Sequence, residues 1–280
     1  STESPVPTVV CGFLSRYAVQ GLVAAALRSA GIKFAEFAQK PGQRRLVEQR
    51  LARAVIGGVA GASGVSMALG SAALRERMWH GNHPGMLFLI RYMLGYFASD
   101  TVEILYARRK FRAPLQMDLL LHHLVGAYIE FGIHGLFNHN TKGHFYYGLS
   151  ISAELLTLLS GTSFFLTACD ATAYPSLATW LNRISKARLW SIALFRLPFW
   201  FVLSLIRITR HRTCLFGHVV QNVVHAIRKG DQRDQEGIPA KEGSQVGVII
   251  MFLILMDCYW VRMLLRAAAK AKSGTTSKLV

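Results

Sequence analysis

Asp118, His122, His123, Glu130 and His134 are set into one apolar run, residues 114–137. Imidazoles and carboxylates a turn or two apart are the side chains that exchange protons near neutral pH. At 100° per residue the five fall within an arc of roughly 160°. Leu120, Leu121, Leu124, Ala127, Tyr128 and Phe131 fill the other side. In that pattern His122, oriented by Asp118 one turn earlier, has the makings of a general base. His123 would be a hydrogen-bond donor or covalent acyl acceptor, as transfer of an acyl group from a thioester to an amine requires. The same residues suit a structural network in which Asp118 merely holds His122. A metal needs three or four ligands, and His122, His123 and Glu154 supply three only if their helices converge. No metal is expected.

These groups need a special setting. Residues 114–137 are long enough to cross a hydrocarbon core, for which about 20 residues suffice. An acidic group at mid-membrane costs on the order of 2.5–3.5 kcal/mol on an insertion scale. Ionisable residues inside a span therefore mark function by default. The preceding run, residues 85–107, has the same two-sided character. Arg91, Tyr92, Gly95, Tyr96, Ser99, Asp100, Glu103 and Tyr106 occupy one half of its wheel, and Met93, Leu94, Phe97, Ile104 and Leu105 the other. The two runs are expected to pack as adjacent antiparallel helices, with Asp100 or Glu103 approaching Asp118 and His122. The turn between them carries Arg108, Arg109, Lys110 and Arg112, which are expected at lipid headgroups.

Five further runs read as spans: residues 8–31, with Arg16 and Arg28, for which lying in the interface is the alternative; 54–74; 144–168, with Glu154; 186–208, with Arg188 and Arg196; and 245–267, with Asp257 facing Tyr259 and Trp260. Residues 54–74 are crowded with small residues, and Gly57 and Gly61, one turn apart, allow close helix packing. Residues 33–53, with Pro41-Gly42 inside, read as a basic linker of some helical character. A short helix is expected around Trp180. Residues 214–229 have apolar groups at helical spacing inside a basic segment, the pattern of an amphipathic surface helix. The total is six or seven spans. Basic linkers follow the odd-numbered spans, which places them in the cytosol or matrix and the N-terminus outside. The basic segment 209–244 runs against that assignment.

Hydrophobic residues make up 52% of the 280 and charged ones only 17%, a balance suited to a helical membrane protein. The net charge of +17 calls for an anionic environment. Nucleic acid is not the expected partner, because the basic residues gather between apolar runs and no nucleic-acid motif is present. Anionic lipids and acidic protein neighbours are. Cys11, Cys169, Cys214 and Cys258 have no metal-ligand spacing and read as buried thiols. The chain opens on Ser1, in keeping with removal of an initiator methionine or of a longer targeting segment.

The order of features resembles the TLC-domain family, the fold of ceramide synthases and several lipid-associated membrane proteins. The matching elements are Gly95-Tyr96-Phe97 with Asp100, Asp118-x-x-x-His122-His123, Glu154 in the following span, and an aromatic-rich span with arginine at 189–207. The resemblance covers roughly residues 45–266. It implies an all-α helical barrel with a central lipid-sized cavity. Ceramide synthases carry a second His-Asp motif about 30 residues after the pair. Here that region reads Gly148-Leu-Ser-Ile-Ser-Ala-Glu154, without the histidine or the aspartates. It is more similar to the non-synthase branch, whose Ser/Pro/Asn/Arg pattern after the glutamate is itself eroded here. Carry-over to the synthase active site is limited to His122 and His123.

The expected organisation is an N-terminal span and linker (1–44), a TLC-like membrane domain (45–267) and a basic tail (268–280). The expected function is non-catalytic: a lipid-binding subunit of a large membrane complex, without cofactor. Its location would be the mitochondrial inner membrane, with the endoplasmic reticulum as the other candidate. Lipid would be met by Arg91, Asp100, Glu103, Asp118, His122, His123, Glu130, Glu154 and Arg196. The alternative is an acyl-CoA-dependent lipid N-acyltransferase using His122, His123 and Asp118, with acyl-CoA as substrate.

Overall fold

The computed structural model describes residues 4–76, 81–128, 143–196 and 240–272. They are mostly helical, with no strand; Phe34 and Cys169 alone form an isolated antiparallel bridge. Three helical stretches are long and apolar enough to cross a membrane: Val6–Ser29, Pro41–Gly70 and His144–Ala168. The chain divides into two compact units, Ser1–Lys186 and Ala187–Val280.

In the first unit, α1 (Val6–Ser29) is inverted relative to a helix of a soluble protein. Gly12, Arg16, Gln20, Ala24 and Leu27 recur every three or four residues and are buried, whereas Leu14 and Leu22 are exposed, Leu22 by 70%. A polar stripe turned inward and leucines turned outward is the arrangement hydrocarbon demands. After the short α2 (Glu36–Gln39) comes α3 (Pro41–Gly70). Here the expectation of a basic linker over 33–53 is corrected. Pro41 does not break a helix but opens one, at the first turn, where its missing N–H goes unnoticed. The helix then runs unbroken for 30 residues, about 45 Å at 1.5 Å per residue.

Beyond α4 (Ala72–Glu76), Pro84 likewise opens α5 (Pro84–Phe111). Arg108, Arg109 and Lys110 in its last turn complement the helix dipole. Arg112 ends it in the left-handed conformation (φ 53°), with Ala113 N–H returning to the Ala107 carbonyl. Both halves of the α5 wheel are largely enclosed: Met93, Leu94, Phe97 and Ile104 are buried like Asp100 and Glu103, while Leu105 and Tyr106 are exposed. Helices on more than one side surround α5, leaving only a strip with Phe88, Val102 and Leu105 exposed.

α6 (Met117–Tyr128) carries the histidine pair and packs on α5. α7 (His144–Ser150) passes through a 3₁₀ turn (Ile151–Leu155) into α8 (Leu156–Ala168), so Glu154 sits where the span tightens. α3 and α8 lie antiparallel on a seam of glycines. A methyl at Gly61 would come 3.0 Å from the Leu155 nitrogen and 3.1 Å from the Ile151 oxygen. Only glycine lets the two backbones meet there. The ends are stitched by Ala35 N–H to the Ala168 carbonyl and Asp170 N–H to the Lys33 carbonyl, both 3.0 Å. The helix expected around Trp180 is α9 (Leu177–Ser191), longer than foreseen.

The second unit holds a π-turn (Ile192–Arg196) and α10 (Ala240–Lys272), which contains the run 245–267. Asp257 is buried while Tyr259, two positions on, is exposed. Residues 129–137 of the histidine run (with Glu130 and His134), most of 186–208, the surface helix at 214–229 and tail residues 273–280 lie outside the described residues.

Candidate functional site

Asp100 is the hub on which the polar residues converge. It lies on α5 and is fully buried. Arg16 of α1 donates its Nε–H to Oδ1 at 2.8 Å, and Arg53 of α3 donates its Nε–H to Oδ2 at 2.7 Å. His123 of α6 brings Nε2 to 3.5 Å from Oδ2, longer than a good hydrogen bond. One carboxylate thus ties α1, α3 and α6 to α5. The arginines are themselves held: Arg16 donates to Gln20, and Arg53 to Gln116 Oε1 at 2.9 Å.

One turn on, Glu103 accepts from Arg45 Nε at 2.7 Å and from Gln49 Nε2 at 2.8 Å. Arg45, Gln49 and Arg53 are spaced by four on α3 and so form one stripe. Arg16, Gln20, Arg45, Gln49, Arg53 and Gln116 are the residues sequence reasoning missed. For Arg45, Gln49 and Arg53 the signal was the four-residue spacing, which is informative only once 41–53 is read as helix.

The histidine pair divides between two carboxylates. His123 is buried, with Nδ1 at 3.4 Å from Thr101 Oγ1 and its ring stacked on Phe97, centroids 5.1 Å apart. The His122 side chain is 15% exposed and meets Glu154 Oε1 through Nε2 at 2.8 Å. Its Nδ1 is buried without a hydrogen-bond partner. The expected Asp118–His122 hold is therefore corrected: Asp118 lies exposed at the start of α6, and the carboxylate on His122 comes from the other span. A 3₁₀ turn at 151–155 delivers Glu154 to α6, an approach that helical spacing alone does not foretell.

The other expected site residues separate from this cluster. Arg91 is buried and makes no ion pair among the described residues. On the helical wheel it sits half a turn from Asp100, and nine residues, about 13.5 Å, away along α5. Arg108, Arg109, Lys110 and Arg112 are exposed together at the end of α5, with Lys110 over the Tyr106 ring at 5.3 Å. Arg196 closes the π-turn, and its side chain is outside the described residues.

Chemically, the arrangement can do two things. It can lock helices together through charge-assisted hydrogen bonds in a low-dielectric interior, although one guanidinium nitrogen (Nη2) of Arg16 and one of Arg53 are buried without a partner. It can also hold the His122 ring with Nε2–H donated to Glu154, which leaves the lone pair on Nδ1. Among the described residues no group of three His, Cys, Asp or Glu side chains is placed to hold a metal ion. No protein-family model, curated protein or solved structure matches the chain.

Proposed function

We propose that the chain is a non-catalytic, lipid-binding integral membrane protein, an accessory subunit of a larger assembly. Its bundle is of the TLC type, with α5 and α6 among six or seven spans. The observation that carries this reading is the hub at Asp100. The carboxylates and arginines that a catalytic centre would leave open to substrate are here spent on joining α1, α3, α5 and α6. The base nitrogen His122 Nδ1 is buried as well.

The net charge of +17 and the exposed basic cluster at 108–112 suit an anionic membrane, and the mitochondrial inner membrane is the proposed location. Purification of the tagged chain from membranes in mild detergent tests the reading. It should come out with partner subunits and with phospholipid. A monodisperse chain free of both would refute it.

One observation favours the alternative, a lipid N-acyltransferase. The His122–Glu154 pair is oriented as a base with its positioning carboxylate, and the His122 side chain is partly exposed. In that reaction the amine nitrogen attacks the acyl-CoA carbonyl. The new C–N bond replaces the C–S bond, CoA leaves as thiolate, and His122 takes the amine proton. Time-resolved acyl-CoA consumption by the purified chain discriminates the two readings.

A further inference from the structure

Cys258, Val261, Arg262, Leu265, Arg266 and Ala269 of α10 line a groove of about 450 Å³. They recur every three or four residues and so form one stripe along the helix. Two of the six are cations. Arg262 and Arg266 stand one turn apart, about 5–6 Å between Cβ atoms, and both are exposed. Neither makes an ion pair among the described residues. The rest of the helix sharpens the imbalance. Residues 258–272 contain no acid and add Lys270 and Lys272, while Asp257, the acid just before them, is buried.

The place of the arginines along α10 says which anion meets them. Met251, Leu255, Tyr259 and Met263 are spaced by four and all exposed, so an apolar face runs beside the groove. In a span such a face meets acyl chains. Arg262 and Arg266 lie 16 and 20 residues beyond Val246, where the apolar run begins, or about 24 and 30 Å along the axis. A hydrocarbon core is about 30 Å thick, so the pair falls at its far boundary. Tyr259 and Trp260 immediately precede that level, where aromatic side chains gather. The phosphate layer therefore coincides with two guanidinium groups that have no carboxylate. Guanidinium matches phosphate oxygens through paired hydrogen bonds. Towards the bilayer centre, Val261 and Cys258 continue the stripe with groups suited to an acyl chain.

Resting on the lipid-binding reading above, we infer that this face of α10 is a specific site for one anionic phospholipid. Its phosphate bridges Arg262 and Arg266, and an acyl chain descends past Val261 and Cys258. A zwitterionic lipid carries its own cation beside the phosphate, so the arginine pair favours the anionic one.

The test uses the full-length protein in phosphatidylcholine vesicles, doped with phosphatidylglycerol bearing a diazirine near the top of one acyl chain. Photolabelling should fall on Cys258, Val261 and Leu265, and exceed that by the equivalent phosphatidylcholine probe. Arg262→Gln should lower this preference about fivefold, and Arg262→Gln with Arg266→Gln about thirtyfold. Lysine at both positions should keep most of it. Arg108→Gln with Arg109→Gln removes the same charge elsewhere and should leave labelling of α10 unchanged. All these positions are exposed, so the fold tolerates the changes. Labelling confined to other helices, no excess over phosphatidylcholine, or an equal loss in both double variants overturns the site but leaves lipid binding standing. An acidic segment of a partner subunit cross-linked to Arg262 and Arg266 in place of lipid also overturns it. Lipid absent from the purified protein altogether defeats this inference and the lipid-binding reading together.

Discussion

Arg45 and Arg53 on α3 and Arg108 to Arg112 at the end of α5 look alike in the sequence: basic residues flanking apolar runs. Their environments are opposite. Arg53 is buried against Asp100, and Arg45 reaches Glu103 from a partly exposed position. Arg108, Arg109 and Arg112 are exposed and make no ion pair with a carboxylate among the described residues. The difference lies in what the neighbouring helix presents. Asp100 and Glu103 fall level with Arg53, Gln49 and Arg45 when α3 and α5 run antiparallel, whereas among the described residues no carboxylate pairs with the basic end of α5. Charge near a span is a topological signal only when no carboxylate lies within reach on the next helix.

That contrast can be broken most sharply at Arg53. Arg53→Met leaves Asp100 with one arginine and Gln116 without its donor, and should cost about 3–5 kcal/mol, the range for stripping one partner from a buried pair. Thermal unfolding in detergent reads it; a loss under about 1 kcal/mol would mean that the hub does not hold the helices. Gly61→Val comes next. Its added methyls would press on the backbone of the 3₁₀ turn at Ile151 and Leu155, and overpacking of this kind costs about 1–3 kcal/mol.

Glu154→Ala should be milder. It removes the hydrogen bond to a partly exposed His122, about 1 kcal/mol, and a drop as large as that of Arg53→Met would place the hub at Glu154 instead. Arg109→Gln should leave stability within about 0.5 kcal/mol of the parent. Replacing Arg108, Arg109, Lys110 and Arg112 together should instead weaken association with anionic vesicles, by about 1 kcal/mol per charge. Salt-sensitive binding of oligonucleotides with no preference for anionic lipid would contradict that assignment.

The membrane character was legible because it rests on composition and run length, which need no tertiary knowledge. So was the pairing of α5 with α6, since both runs carry ionisable residues that require each other's shelter. Asp100 was singled out from its position in an apolar run, but its partners were not. Arg53 was hidden by Pro41-Gly42, a pair that reads equally well as a break or as a helix start. His122 was matched to Asp118 because sequence spacing favours partners one turn away. The actual partner, Glu154, is 32 positions distant and is delivered by a 3₁₀ turn. The inward face of α1 was legible in principle, as Gly12, Arg16 and Gln20 repeat every four residues.

The central claim is that the ionisable residues of this bundle bind helices together rather than turn over substrate. His122→Ala tests it most directly, with acyl-CoA consumption, assembly yield and bound lipid measured on the same preparations. Removing the imidazole takes one hydrogen bond from the buried Glu154 carboxylate, at a cost of about 1 kcal/mol. The account predicts no acyl-CoA consumption by either protein, and a lower yield of assembled, lipid-loaded complex for the variant. Robust consumption by the parent chain, reduced by a factor of about 10² to 10⁴ in His122→Ala at unchanged assembly, would contradict it.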